Sequence, residues 1–190
     1  ISKILLNHFC KFVIQFKKMA TENKNLSQYN KSELPSVAGS KFAIVTSEWN
    51  NHITFNLRDG AKDTLIDLGA NPEDVSLFHV PGSFELIYGA DKIAKTQPDL
   101  DGIIVVGCVI RGATAHFDYV CEGVTQGIKD LNIKHDIPII FCVLTDENEQ
   151  QSIDRSGGKH GNKGVEAGVA AVMMVDIRRQ LNKLSTGKFV

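Results

Sequence analysis

The densest run of chemistry-bearing residues in this sequence is Val109-Ile110-Arg111-Gly112-Ala113-Thr114-Ala115-His116. Its small residues let backbone approach a ligand closely, and the N–H groups of Ala113 and Thr114 at the start of a helix form a ready anion site. No Gly-Lys-Ser/Thr follows, so this is not a Walker loop. His116 falls in the first turn, where the helix N-terminus disfavours imidazolium. That place suits a proton shuttle. A lone first-turn His is ordinarily a solvated surface residue; its place beside an anion loop favours function.

Three other stretches carry weaker signals. Trp49, in Ser47-Glu48-Trp49-Asn50, is the single tryptophan, placed where it could stack on a flat heteroaromatic ligand. By itself it reads first as a core or interface aromatic. Val80-Pro81-Gly82-Ser83-Phe84-Glu85 is a sharp strand-to-helix turn in which Ser83 could cap the helix. Glu85 would complement the helix dipole or accept hydrogen bonds from a polyol. In the Gly-rich run from Ile153 to Glu166, Arg155 could clamp a phosphate bidentately, and Lys163 and Glu166 open the last helix. Taken alone, that run reads first as a solvated charged loop, although its glycine density argues for a specific backbone shape.

These residues need elements to position them. Phe42–Thr46, Val75–Val80, Ile103–Val106 and Pro138–Leu144 are short apolar runs of the kind buried parallel strands show. Between them, apolar residues recur at helical spacing: Ile53, Leu57, Ala61, Leu65 and Leu68, then Phe84, Ile87, Ala90 and Ala94, then Phe117, Val120, Val124, Ile128 and Leu131. Glu149–Ser156 reads as a short helix and Val165–Leu181 as the last one. Alternating strands and helices predict an α/β, doubly wound, flavodoxin-like three-layer sandwich around a central four-stranded parallel sheet. Ligands bind such sheets outside the carboxyl ends of the strands. The loops to inspect are therefore 47–52, 81–85, 107–116 and 144–164.

With 190 residues, the chain predicts one domain over 41–183, an N-terminal extension or arm over 1–40 and a tail over 184–190. Residues 1–18 read as upstream translation or a poorly ordered extension ahead of a start at Met19. A net charge of -1 offers no nucleic-acid surface or polybasic anchor. The apolar stretch Ile4–Phe16 is interrupted and shorter than the roughly 20 residues of a membrane span. Of the four cysteines, Cys108, Cys121 and Cys142 read as buried free thiols in a reducing, cytoplasmic setting, and no Cys/His spacing suggests a metal.

All four loops in this order, over roughly Lys41 to Met174, resemble the 6,7-dimethyl-8-ribityllumazine synthase family. The most specific pieces are Val80–Glu85, Val109–Tyr119 and Gly161-Asn162-Lys163-Gly164. The resemblance implies condensation of 5-amino-6-(D-ribitylamino)uracil with 3,4-dihydroxy-2-butanone 4-phosphate, releasing phosphate and water, with no cofactor and no metal. It implies that Trp49 stacks on the pyrimidine, and that Ser83, Phe84 and Glu85 hold the ring and ribityl chain. Cys108, Val109 and Ile110 would offer backbone to the ring, and Ala113 and Thr114, with Arg155, would bind the phosphate. His116 would transfer protons, Phe141 would be lent by a neighbouring subunit, and Lys163 and Glu166 would complete the site.

The same resemblance implies a homopentamer, with riboflavin synthase as a partner. The short stretch between Arg155 and Gly164 leans towards a 60-subunit shell. Glu48 departs from the basic or small residue common there. Two other classes compete. A flavin-binding module without catalysis would lack His116 or Arg155, and both are present. A flavodoxin-like redox carrier would want a Ser/Thr-rich phosphate loop where Glu48-Trp49 stands.

Overall fold

The computed structural model describes residues 25 and 27–185, so the expected extension at residues 1–18 and the end of the tail lie outside the described residues. Four parallel strands form the central sheet: β1 (Phe42–Ser47), β2 (Val75–Val80), β3 (Gly102–Ile110) and β4 (Ile139–Asp146), in the order β2-β1-β3-β4. Helix α1 (Asn51–Asp67) follows β1, α2 (Leu86–Thr96) follows β2 and α3 (His116–Lys134) follows β3. After β4 come α4 (Glu149–Arg155), an antiparallel pair β5 (Ser156–Gly158) and β6 (Gly161–Asn162), and α5 (Lys163–Ser185).

The apolar runs become strands because both faces of the sheet are covered. Every residue of β1 is buried, as is β3 from Gly102 to Cys108. One face sets Phe42, Ile44, Ile104 and Val106 against Ile53, Leu57 and Leu65 of α1 and Val172 and Val175 of α5. The other sets Ala43, Val45, Ile103 and Val105 against Leu86 and Ala90 of α2 and Val124 and Ile128 of α3. Each fully buried Ile, Leu or Val contributes about 1.5–3 kcal/mol, so the two layers dominate the stability. The edge strand β2 alternates instead, with Leu77 and His79 exposed.

β1 pairs with β2 on one side and with β3 on the other. The chain therefore reverses its direction of winding at β1, and the topological switch point lies between the carboxyl ends of β1 and β3.

Two segments outside the layers are held in definite shapes. The Gly-rich run forms the β5–β6 hairpin, with Gly157 at φ 119 and Gly161 at φ 85, a region that favours glycine. Asn162 then fastens the start of α5: its Nδ2 donates to Asn56 O at 2.8 Å and its Oδ1 accepts from Gly164 N–H at 2.7 Å. Those contacts open α5 at Lys163, two residues ahead of the apolar spacing that begins at Val165. The polar arm is also tied down. The Tyr29 hydroxyl donates to Asp67 at 2.9 Å, Lys31 pairs with the same carboxylate at 2.9 Å, and Ser27 Oγ accepts from Asn162 N–H at 2.9 Å. No helix among the described residues is long and apolar enough to cross a membrane.

Candidate active site

The loops after β1, β2 and β3 meet at the switch point and enclose an open cleft of about 720 Å³. After β1, the N–H groups of Glu48 and Trp49 donate to Val80 O at 2.9 Å and Pro81 O at 3.1 Å, so the first two loops are stitched together. Asn50 follows with φ 60, a left-handed conformation that Asn tolerates better than most residues. Its side chain does not cap α1; Nδ2 donates across the switch point to Cys108 O at 3.2 Å. That geometry leaves the Trp49 indole standing free at the rim, 73% exposed.

Ser83 does not cap a helix, contrary to the expectation. Helix α2 begins at Leu86, and the Ser83 carbonyl accepts the Leu86 N–H at 3.3 Å while its hydroxyl turns inward. Ser83 is 7% exposed, lines the cleft, and its Oγ has no hydrogen-bond partner. A buried hydroxyl left unpaired is costly, so the position is set for a ligand group. Room for Ser83 comes from Gly107 of β3, where a Cβ would lie 2.7 Å from Ser83 Oγ. Phe84 is seated the same way over Gly123 of α3, where a Cβ would lie 2.7 Å from its ring.

After β3, the loop 111–115 is pinned by Arg111. Its Nε donates to Glu147 at 2.7 Å, its terminal nitrogens to Asp118 at 2.9 and 3.3 Å, and its guanidinium lies 4.1 Å above the Phe117 ring. Helix α3 starts at His116, so Ala113 and Thr114 lie on the turn that approaches it and not in its first turn, as the motif suggested. Among the described residues their N–H groups donate to no backbone carbonyl, the arrangement an anion site requires. His116 is exposed, and its N–H donates to Thr114 Oγ1 at 3.4 Å.

The expected residues thus fall into two sets. Trp49, Ser83, Phe84 and Glu85 line the cleft, together with Cys108, Val109, Ile110, Thr114 and His116. Ala113 sits between the lining residues Gly112 and Thr114. Phe141, Arg155, Lys163 and Glu166 do not line it. Phe141 faces outward on the edge strand β4. Arg155 ends α4, with Nη1 donating to Gln151 O at 2.9 Å and lying 3.8 Å from Asp146. Lys163 pairs with Glu166 at 2.7 Å.

Asn50, Phe117 and Tyr119 line the cleft without having been singled out as site residues. Asn50 left a signal, an Asn between strand and helix; Phe117 read only as core. Burial pushes the Cys108 thiol up to about 11, so it stays protonated and donates to Ser152 Oγ at 3.4 Å. Cys142 is buried too, but Cys121 is only half-buried, because it lies at the side of the α3 stripe.

A doubly wound parallel sheet with an aromatic-lined cleft, an unpaired backbone turn and a histidine at its switch point defines an α/β enzyme of the flavodoxin-like type. The comparisons give the particular family. The sequence profile of 6,7-dimethyl-8-ribityllumazine synthase matches residues 39–179. A Flavobacterium johnsoniae protein of that name is 61% identical over 85% of this chain and 85% of its own length. Its Flavobacterium psychrophilum counterpart is 59% identical over 86% of each chain, and a Christiangramia forsetii one is 56% identical over 85% of this chain and 96% of its own. The chain belongs to the 6,7-dimethyl-8-ribityllumazine synthase family.

Proposed function

We propose that the chain condenses 5-amino-6-(D-ribitylamino)uracil with 3,4-dihydroxy-2-butanone 4-phosphate to 6,7-dimethyl-8-ribityllumazine, releasing phosphate and water. The observation that carries this is the shared cleft: a free indole, an unpaired buried hydroxyl, an unpaired backbone turn and an imidazole open onto one space. The pyrimidine stacks on Trp49. Ser83, Phe84 and Glu85 hold its ring and ribityl chain, and the backbone of Cys108, Val109 and Ile110 borders the ring. The phosphate rests on the turn at Ala113 and Thr114.

The amine attacks the ketone to give an imine, phosphate leaves, and the ring closes. Holding two substrates together removes much of the barrier. His116 moves protons, a role worth about a hundredfold to ten-thousandfold. Charge on the leaving phosphate is met by N–H dipoles and by cationic side chains.

Arg155, Lys163, Glu166 and Phe141 act in the cleft of a neighbouring copy in a homopentamer. Two features support this: their separation from this chain's own cleft, and the aromatic side chains of Trp49, Phe84 and Tyr119 left exposed along it. The short β5–β6 hairpin favours assembly of pentamers into a 60-subunit shell, working in the cytoplasm beside a riboflavin synthase that consumes the product. Mixing the two substrates with the protein and following lumazine absorbance and fluorescence tests the reaction; no lumazine above the uncatalysed rate would refute it. Native mass tests the assembly, and a monomer at working concentration would refute the shared site.

A further inference from the structure

Strand β4 ends in a nearly buried carboxylate that the proposed chemistry leaves unused. The Asp146 side chain is 11% exposed. Its Oδ2 accepts from Ser152 Oγ at 2.7 Å, and the fully buried Ser152 hydroxyl accepts in turn from the Cys108 thiol at 3.4 Å. Its backbone carbonyl accepts the Arg111 N–H at 3.0 Å. The cation facing its other oxygen, at 3.8 Å, is Arg155. One residue therefore touches the floor of the cleft through Ser152 and Cys108, the anion-binding loop through Arg111, and the helix that carries Arg155.

Enclosing a carboxylate is unfavourable unless hydrogen bonds and an opposite charge compensate it. Ser152 supplies the first and Arg155 the second. Both contacts of the Arg155 guanidinium, to Gln151 O and to Asp146, use Nη1. Among the described residues nothing meets the Nε–Nη2 edge of the fork, and that edge matches two phosphate oxygens. Helix α4 is only seven residues long and contributes little order by itself, so the clamp at Ser152 has a large share in where its last residue points.

We infer that Asp146 is a positioning residue for the reaction: with Ser152 it fixes α4 and turns the open edge of Arg155 towards the phosphate of the butanone substrate. This rests on the proposed role of Arg155 as a phosphate ligand, and the test separates the two ideas. Steady-state constants for both substrates are measured on the full chain carrying Asp146→Asn, Arg155→Ala, or both. Asparagine keeps the shape and can still accept from Ser152, so it removes chiefly the charge. The expected result for Asp146→Asn is a KM for the butanone phosphate raised about five- to tenfold, with kcat and the pyrimidine KM moving less than about twofold.

In the Arg155→Ala background the same change should add nothing, because the residue acts through the guanidinium. Ser152→Ala, which suits a helix, should raise the same KM about threefold and covers the case in which the Asn variant does not fold. If Arg155→Ala raises the phosphate-substrate KM while Asp146→Asn and Ser152→Ala do not, the positioning role is overturned and the phosphate role stands. If Arg155→Ala leaves it unchanged, the phosphate role fails and takes this inference with it. Additive effects in the double variant also overturn the inference, since they would mark a general structural loss.

Discussion

The cleft at the switch point and the corner formed by α4, the β5–β6 hairpin and the start of α5 both carry residues expected to do chemistry, yet they are built in opposite ways. In the cleft, functional groups lack partners: Ser83 Oγ is buried and unbonded, and Trp49 and Phe84 stand exposed. In the corner, every expected charged group is engaged, Arg155 with Gln151 O and Asp146, and Lys163 with Glu166. A surface that waits for a small molecule leaves hydrogen bonds and rings open. A surface that orients charges for use elsewhere holds them in internal pairs, because an unpaired partly buried charge is costly. The contrast fits one subunit offering a receptive half-site and lending an ionic one.

The sharpest way to break this comparison is to disable the halves separately. His116→Gln should lower kcat about a hundredfold or more with both KM values little changed, as removal of a proton shuttle does. Arg155→Ala should raise the KM for the phosphorylated substrate about thirtyfold, the cost of a charge-assisted bond, and leave pyrimidine binding within about twofold. Equal amounts of the two variants, dissociated, reassembled together and assayed with the phosphorylated substrate well below its KM, should then recover about a quarter of wild-type activity. Half the subunits keep the histidine and half of their neighbours keep the arginine. Recovery near zero would place both groups in one chain's site and end the contrast.

Stability changes sharpen the same comparison. A Cβ on Gly164 would lie 1.8 Å from the Leu57 carbonyl oxygen, a backbone atom that cannot swing aside. Gly164→Ala should therefore cost about 3 kcal/mol in chemical unfolding and move Lys163 with the start of α5. Gly112→Ala meets nothing within 4 Å and should leave stability within about 0.5 kcal/mol. An effect between these two is expected away from both regions. Lys134, then Lys95 and His135, hold the Asp91 carboxyl well below the usual carboxylate range. Its folded value is depressed, so its contribution is complete above the unfolded value of about 3.9 and fades as pH falls towards the folded one. Asp91→Asn should cost about 1 kcal/mol at pH 7 and flatten the acid arm of the Tm–pH profile.

The two regions were not equally legible. The cleft could be read from the chain because each of its loops is one strand–turn–helix run, so Trp49, Ser83, Phe84 and His116 are placed by their own neighbours in sequence. Asn50 escaped because its role is a bond to Cys108 O, 58 positions away. The Ser83 cap failed for a related reason: the hydroxyl faces Gly107 of another strand, and that contact outweighs the local motif. In the corner, glycine density foretold a particular backbone shape but not the hairpin, and Asp146 was invisible as part of a plain Thr-Asp-Glu run.

By itself the sequence determined the alternation of buried strands and amphipathic helices, and with it the layers and the end of the sheet where ligands bind. It also determined the composition of the turn between β3 and α3, and with it the family. Those features rest on periodicity and on turns a few residues long, which act within one element. Only the tertiary structure decided which loops face each other, that Ser83 Oγ lacks a partner among the described residues, and that Arg155 lies outside its own chain's cleft lining, near Asp146. Such facts depend on contacts between residues distant along the chain, where packing of whole layers outweighs any local preference.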